Sequence, residues 1–379
     1  MILNMRILLI FLFSFLIFST SYGEHQSIQY DLPSFPKYEV KGSDQYYKFN
    51  SNLTEDKIVR KEIKNYKKTG LISYLLYEDG VIVIDEKSQE DWLTSDKWIS
   101  EEKRLLVSHS VGKSFASYIT GHAICEGYID SVDVVLDDWS ILDNTLYHSQ
   151  KLIDILNMTA GDQKYVGQKN FGKDDKLYDK GKTIVTTNIQ AMMEKNFQNT
   201  KKSKSVYNYS ALATGVFLNY TIFKVGEDYQ KLLNKIFNEY VKVKNNIYFM
   251  RTGTDATVGS GRYTTYVTRY DYLRIAKTIL EDWNNDTCVG KYLKTIYERR
   301  INKKRDKFKS TAIESYTKKY GGQFHFDVVG MTKRKILGMG GAGGQQVIID
   351  FDRKRIIIVN SRDRHYNWKK IVLKKLKQK

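Results

Sequence analysis

The stretch SHSVGKSFASYITGHAICEGYIDSVDVVLDDW, residues 108–139, decides the reading of this chain. From Ser110 to Tyr128 it is apolar, free of proline and punctuated by the small residues Gly112, Ala116 and Gly121. That pattern predicts a buried helix ending near Gly127. Ser110 and Lys113 stand three apart, so on a helix they share one face, one turn apart. At a helix N-terminus the free N–H groups favour a nucleophilic oxyanion and disfavour a nearby ammonium. Partial desolvation lowers the lysine pKa further, so Lys113 can serve as a base for the Ser110 hydroxyl. Ser-x-x-Lys arises often by chance, and the chain around it must carry the rest.

The chain has 379 residues, 41% of them hydrophobic and 27% charged, enough for a large core and too apolar for wholesale disorder. With 2 Pro, 2 Cys and no sustained heptad, collagen-like, disulfide-scaffold and coiled-coil readings fail. The formal charge of +18 admits an acidic polymer, nucleic acid or an anionic membrane face as partner. The basic residues are scattered and interleaved with acids, so general lysine use accounts for the charge.

Residues 1–23, MILNMRILLIFLFSFLIFSTSYG, place Arg6 before an apolar run from Ile7 to Phe18, with Ser21 and Gly23 at the small-residue positions of a cleavage site. This is the layout of a secretory signal peptide. The run is short of the ~20 residues that cross a bilayer, although a retained N-terminal anchor is the alternative. Export to the periplasm or outside the cell removes nucleic acid from the expected partners. Cys125 and Cys288 have no metal-binding spacing, and Cys125 in its apolar helix is expected as a buried free thiol. The six histidines form no H-x-H or H-E-x-x-H pair, so no metal site is expected, and acyl transfer through a serine nucleophile calls for no other cofactor.

Residues 24–51 are polar, hold both prolines and read as an extended arm. Glu55–Lys68, with Ile58 and Ile63, predicts an amphipathic helix. Leu71–Tyr77 and Val81–Asp85 flank Glu78-Asp79-Gly80 and predict a hairpin. Helical character continues at Leu152–Met158, Asn188–Met193 and Leu212–Val225. Tyr270–Trp283 is the clearest later helix, with Thr268 as a candidate cap. Strands return at Phe324–Val329 and in a hairpin of Gly344–Phe351 with Arg355–Ser361, and Trp368–Leu376 reads as a basic amphipathic helix. Strands at both ends with helices between them imply an α/β (α+β) fold. An antiparallel sheet from both termini, residues 52–115 and 290–379, would be flanked by helices, with 116–289 as an inserted all-α region.

The 108–139 run and the following LIDILNMTAGD resemble the serine β-lactamase and penicillin-binding-protein superfamily, especially class C-like esterases and 6-aminohexanoate-dimer hydrolases. Gly127-Tyr128-Ile129 with Asp133 matches one family segment, and Leu156-Asn157-Met158-Thr159-Ala160-Gly161 another. The resemblance runs from about Gly70 to Ser361. It implies that Tyr209, in Tyr207-Asn208-Tyr209-Ser210-Ala211, occupies the place of the family's Tyr-x-Asn tyrosine, with Tyr207 as the competitor. A phenol beside a lysine can relay protons. The third position is Ala211 rather than Asn, which removes a polar side chain and argues against β-lactam turnover.

Met339-Gly340-Gly341-Ala342-Gly343-Gly344-Gln345 occupies the place of the family's Lys/His-Thr/Ser-Gly strand. The resemblance implies an oxyanion hole from the N–H groups of Ser110 and Ala342, with Gly341 and Gly343 allowing substrate close to the backbone. Met339 and Gly340 stand where charged or hydroxylated residues would be, so the substrate-carboxylate clamp is not expected. Arg251-Thr252-Gly253 imitates that motif but lies too early, and it reads with Val258–Tyr263 as a surface or site-edge loop. His109 reads as a packing neighbour of the nucleophile.

The expectation is an exported serine hydrolase acting on a small-molecule ester or amide through Ser110, Lys113 and Tyr209. The alternative is a catalytically weak or inactive relative that binds cell-wall or acidic polymer. A membrane-surface role for the C-terminal helix is the further rival, with packing on the sheet preferred.

Overall fold

The computed structural model describes residues 36–89, 104–166, 189–252, 261–303, 313–363 and 366–378. The leader and the first part of the arm lie outside the described residues. Residues 35–379 form one compact unit.

Asp79 and Gly80 both take positive φ (45° and 94°), the backbone of a tight two-residue hairpin. They join β3 (Leu71–Glu78) to β4 (Val81–Lys87) as expected. β13 (Arg355–Ser361) pairs antiparallel with β3, so the N- and C-terminal parts of the chain share one sheet. The sheet continues through β12 (Gln346–Asp350), β11 (Ile336–Gly340), β10 (Phe324–Val328), β9 (Thr317–Gly321) and β8 (Ile301–Asn302). With β2 (Asn50–Ser51) beyond β4, its order is β2-β4-β3-β13-β12-β11-β10-β9-β8. Every pairing in it is antiparallel except the short parallel contact of β2 with β4.

Alternation along these strands divides the core in two. Leu75, Tyr77, Val347, Ile349, Ile356 and Ile358 face one layer, and Tyr74, Leu76, Ile348, Ile357 and Val359 face the other. A sheet buried on both faces requires continuous apolar runs, which Ile356-Ile357-Ile358-Val359 supplies. On the outer face lie α1 (Lys57–Lys64), capped by the Asp56 carboxylate, and the C-terminal segment Lys369–Lys377. Trp368, Ile371, Val372 and Leu376 are buried in that layer with Val59 and Ile63, so the apolar face of the C-terminal helix packs on the sheet.

The inner layer contains α2 (Val111–Cys125), α3 (Ala211–Val225), α4 (Arg269–Asn284) and α5 (Cys288–Glu298). α4 is capped by Thr268, whose hydroxyl accepts from the Asp271 N–H, and Trp283 stacks on Phe351 at 4.2 Å. A second antiparallel sheet of order β1-β6-β7-β5 joins β1 (Lys37–Val40), β5 (Leu105–Val107), β6 (Ile247–Arg251) and β7 (Gly261–Thr268). Among the described residues, the segment 116–289 therefore carries β6 and β7 besides its helices rather than being purely helical, and part of the arm is a strand. Gly261-Arg262-Tyr263, read as loop, begins β7; Gly253 and Val258 lie outside the described residues.

Cys125 and Cys288 form a disulfide with Cα atoms 5.8 Å apart, which corrects the expectation of a free thiol. Cys125 is the last residue of α2 and Cys288 the first of α5, and these helices pack together. The contact spans 163 residues of sequence, beyond anything local composition reports.

Candidate active site

β5 pairs with β7, and Ser108 continues the contact: its N–H donates to the Thr265 carbonyl, and its Oγ accepts from the Thr265 N–H, both at 2.8 Å. The chain then turns through His109, a non-glycine residue at φ 46°, and delivers Ser110 to the start of α2. Such strained backbone clusters at functional sites. Gly112 is required one residue into the helix, because a Cβ there would stand 1.8 Å from the Tyr263 carbonyl oxygen. Ser110 is half-buried at the helix N-terminus, where peptide dipoles favour negative charge.

Lys113, on the same face one turn on, is 2% exposed. Its Nζ lies 3.3 Å from the Thr214 hydroxyl, 3.9 Å from the Tyr263 ring centroid and 5.1 Å from that of Tyr209. Among the described residues no carboxylate acts on it, and burial pushes its pKa down to about 7. A substantial neutral fraction is then present at neutral pH, as a general base requires.

Tyr209 precedes α3, whose first turn is capped by the Ser210 hydroxyl accepting from the N–H groups of Leu212 and Ala213. Tyr207 and Tyr209 both pack on Tyr320, with centroids 5.2 and 6.1 Å away. Between them, Asn208 donates through Nδ2 to Asp162 at 2.7 Å and its N–H to the Met158 carbonyl at 2.8 Å. Asp162 is buried, also accepts from the Tyr147 hydroxyl at 2.8 Å, and burial raises its pKa. The LNMTAG segment and the residue after it thus anchor the loop that carries Tyr209.

The glycine turn completes the group. A Cβ on Gly341 would meet the Ser108 carbonyl oxygen at 2.7 Å, and one on Gly343 would meet His109 Nε2 at 3.0 Å. Residues 341–343 therefore lie against the turn that presents Ser110: a side chain at 341 would clash with that carbonyl, and one at 343 would crowd the His109 and Gln345 side chains. The Gly341 and Gly344 amides are engaged within the turn, while the intervening Ala342 is exposed. Arg251 ends β6 and stacks its guanidinium 4.4 Å from the Tyr38 ring centroid.

Sequence reasoning missed Thr214 and Gln323, and it placed Tyr263 only within a surface or site-edge loop. Thr214 stands three residues after Ala211 on α3, and that spacing was its one available signal. Gln323 lies between β9 and β10 and had no signal at all. Among the described residues, no group of three His, Cys, Asp or Glu side chains could hold a metal ion.

No family model and no curated protein matches the sequence. Solved structures do. A protein assigned as a 6-aminohexanoate-dimer hydrolase from Bacillus anthracis superposes with TM-score 0.61 at 16% identity, covering 86% of this chain and 85% of its own. A D-stereospecific amidohydrolase from Streptomyces sp. gives 0.57 at 11%, covering 84% and 98%. FmtA from Staphylococcus aureus gives 0.53 at 14%, covering 88% and 93%. At these identities the likeness establishes architecture, and this chain has the β-lactamase-like fold that the serine β-lactamase and penicillin-binding-protein superfamily shares.

Proposed function

We propose that this protein is an exported serine hydrolase that cleaves an ester or amide bond through an acyl-enzyme on Ser110. The observation that carries the reading is Lys113, buried with no carboxylate acting on it among the described residues, one helical turn from a serine at a helix N-terminus. Ser110 Oγ attacks the substrate carbonyl carbon as its proton passes to Lys113 Nζ. The N–H groups of Ser110 and Ala342 stabilise the resulting oxyanion, each worth about 3–4 kcal/mol in the transition state. The tetrahedral intermediate collapses, breaking the bond to the leaving group, which takes up the proton through Tyr209. Water then adds to the acyl carbon, losing a proton to the same relay, and Ser110 is released.

Two features support a small ester or linear amide as substrate. Met339, Gly340 and Ala211 supply no ion or amide to grip a substrate carboxylate, and two solved neighbours are named for amide hydrolysis. Export is supported by the 1–23 segment and by the Cys125–Cys288 disulfide, since such bonds persist in oxidising compartments.

Intact mass after fluorophosphonate treatment tests the nucleophile: one adduct on wild type and none on Ser110→Ala is expected. A folded wild type without adduct would favour the binding-protein alternative. Parallel rates on p-nitrophenyl acetate, a linear amide and a cephalosporin test the substrate class, and a wide preference for the cephalosporin would overturn it.

A further inference from the structure

Lys113 is held by a hydrogen-bond chain whose direction can be read from its far end. The Gln323 side chain donates through Nε2 to the Leu156 carbonyl at 2.7 Å, which sets its Oε1 as an acceptor. The Gln323 N–H donates to the same carbonyl at 3.1 Å, and its own carbonyl accepts from the Ser114 hydroxyl at 2.7 Å, so the residue is pinned at both ends. Oε1 accepts the Thr214 hydroxyl proton at 3.0 Å, nearer than the other acceptor in reach of that proton, the Ser210 carbonyl at 3.4 Å, and it takes a longer bond from Tyr320 at 3.3 Å. A hydroxyl has one proton, so the contact of Thr214 with Lys113 must run the other way, with Nζ donating to Oγ1.

We propose that Thr214 and Gln323 are positioning residues for the base: they hold one Lys113 N–H and thereby turn the amine lone pair away from them, free to accept the Ser110 proton. The proposal rests on the hydrolase reading above. Every group in the chain is neutral, which distinguishes it from a counter-ion. A carboxylate in place of Gln323 would hold the lysine as ammonium and remove its basicity. The neutral dipoles aim the amine and still let it release its proton on the way to the leaving group. Thr214 lies one turn beyond Ala211 on α3, so the helix presents a hydroxyl close to the position where the motif has lost its polar side chain.

The test is the pH dependence of fluorophosphonate labelling of Ser110 in the full chain, with folding checked by circular dichroism. Thr214→Val is expected to lower the plateau rate about tenfold, the scale of one lost hydrogen bond. Its acidic limb should also move to lower pH, because the ammonium form loses its acceptor. Thr214→Ser should restore both plateau and limb. Gln323→Glu should move the limb the opposite way, to higher pH. Limbs that coincide with wild type in folded Thr214→Val and Gln323→Glu overturn the proposal, even if plateaus fall, because packing alone would then explain the loss. A wild type that never labels defeats the hydrolase reading first, and is recognised before any variant is made.

Discussion

Two regions of the inner layer treat buried cations in opposite ways. At the start of α4, Arg274 is 4% exposed and bonds the fully buried Asp271 at 2.8 Å, while Arg269 reaches Asp85 at 2.6 Å. Asp271 also accepts from the N–H groups of Lys244 and Asn245, so its charge is shared among several donors. Lys113, as deeply buried, meets a hydroxyl and two aromatic faces, and among the described residues no carboxylate acts on it. A paired buried charge holds elements together, and removing one partner strands the other. An unpaired one is costly to the fold, and the group responds by giving up its proton. The difference marks where this molecule departs from its most stable arrangement.

The sharpest way to break that comparison is to neutralise each cation. Lys113→Met should reduce fluorophosphonate labelling by about 10³-fold or more, and its thermal midpoint should equal or exceed that of wild type. Arg274→Met leaves Asp271 buried without its cation and should cost about 3–5 kcal/mol in denaturant unfolding. A destabilised Lys113→Met beside an unaffected Arg274→Met would reverse the contrast.

The disulfide ties the C-terminal end of α2 to the start of α5. Cys288→Ser should lower stability by about 2–4 kcal/mol, measured without reductant, while Ser110 still labels in the folded fraction. Loss of labelling in fully folded protein would show that the crosslink also sets the site.

The pH dependence follows from the Lys113 value of about 7. Labelling should rise as pH increases through that value and the amine becomes neutral. Stability has the same sign. The folded pKa is depressed, so the unfolded chain binds more protons between about 7 and the ordinary lysine range, and stability rises with pH across that window. The stability gap between wild type and Lys113→Met should therefore narrow from neutral to alkaline pH. A gap independent of pH would mean that Lys113 is charged in the folded state.

The smallest effect belongs to the surface. Lys370 reaches Glu62 at 3.2 Å with its side chain 58% exposed, so Lys370→Gln should change stability by less than about 1 kcal/mol and leave labelling intact.

Much of the fold is legible from short-range signals. The Asp79-Gly80 hairpin, the Thr268 cap and the Ile356–Val359 run each declare their structure within a few residues, because turn chemistry, capping and side-chain period are local. The Ser110–Lys113 face is equally local, and so is the placing of Tyr209 just before α3. The small sheet was hidden because β1 finds its partner β6 across some two hundred residues and reads as polar arm until paired.

What the sequence alone determined is which side chains share a helix face and which strands alternate, since these follow from backbone geometry. Only the tertiary structure decided that Cys125 would meet Cys288, that the glycine turn would lie against Ser108 and His109, and that Lys113 would face Thr214 and Tyr263. Those outcomes depend on contacts between segments far apart in the chain, and Thr214 stands 101 residues from the lysine it holds. The depth to which Lys113 is buried belongs to this second class: the sequence places the lysine one turn from Ser110, and the fold packs it where, among the described residues, no carboxylate acts on it, which favours its neutral form.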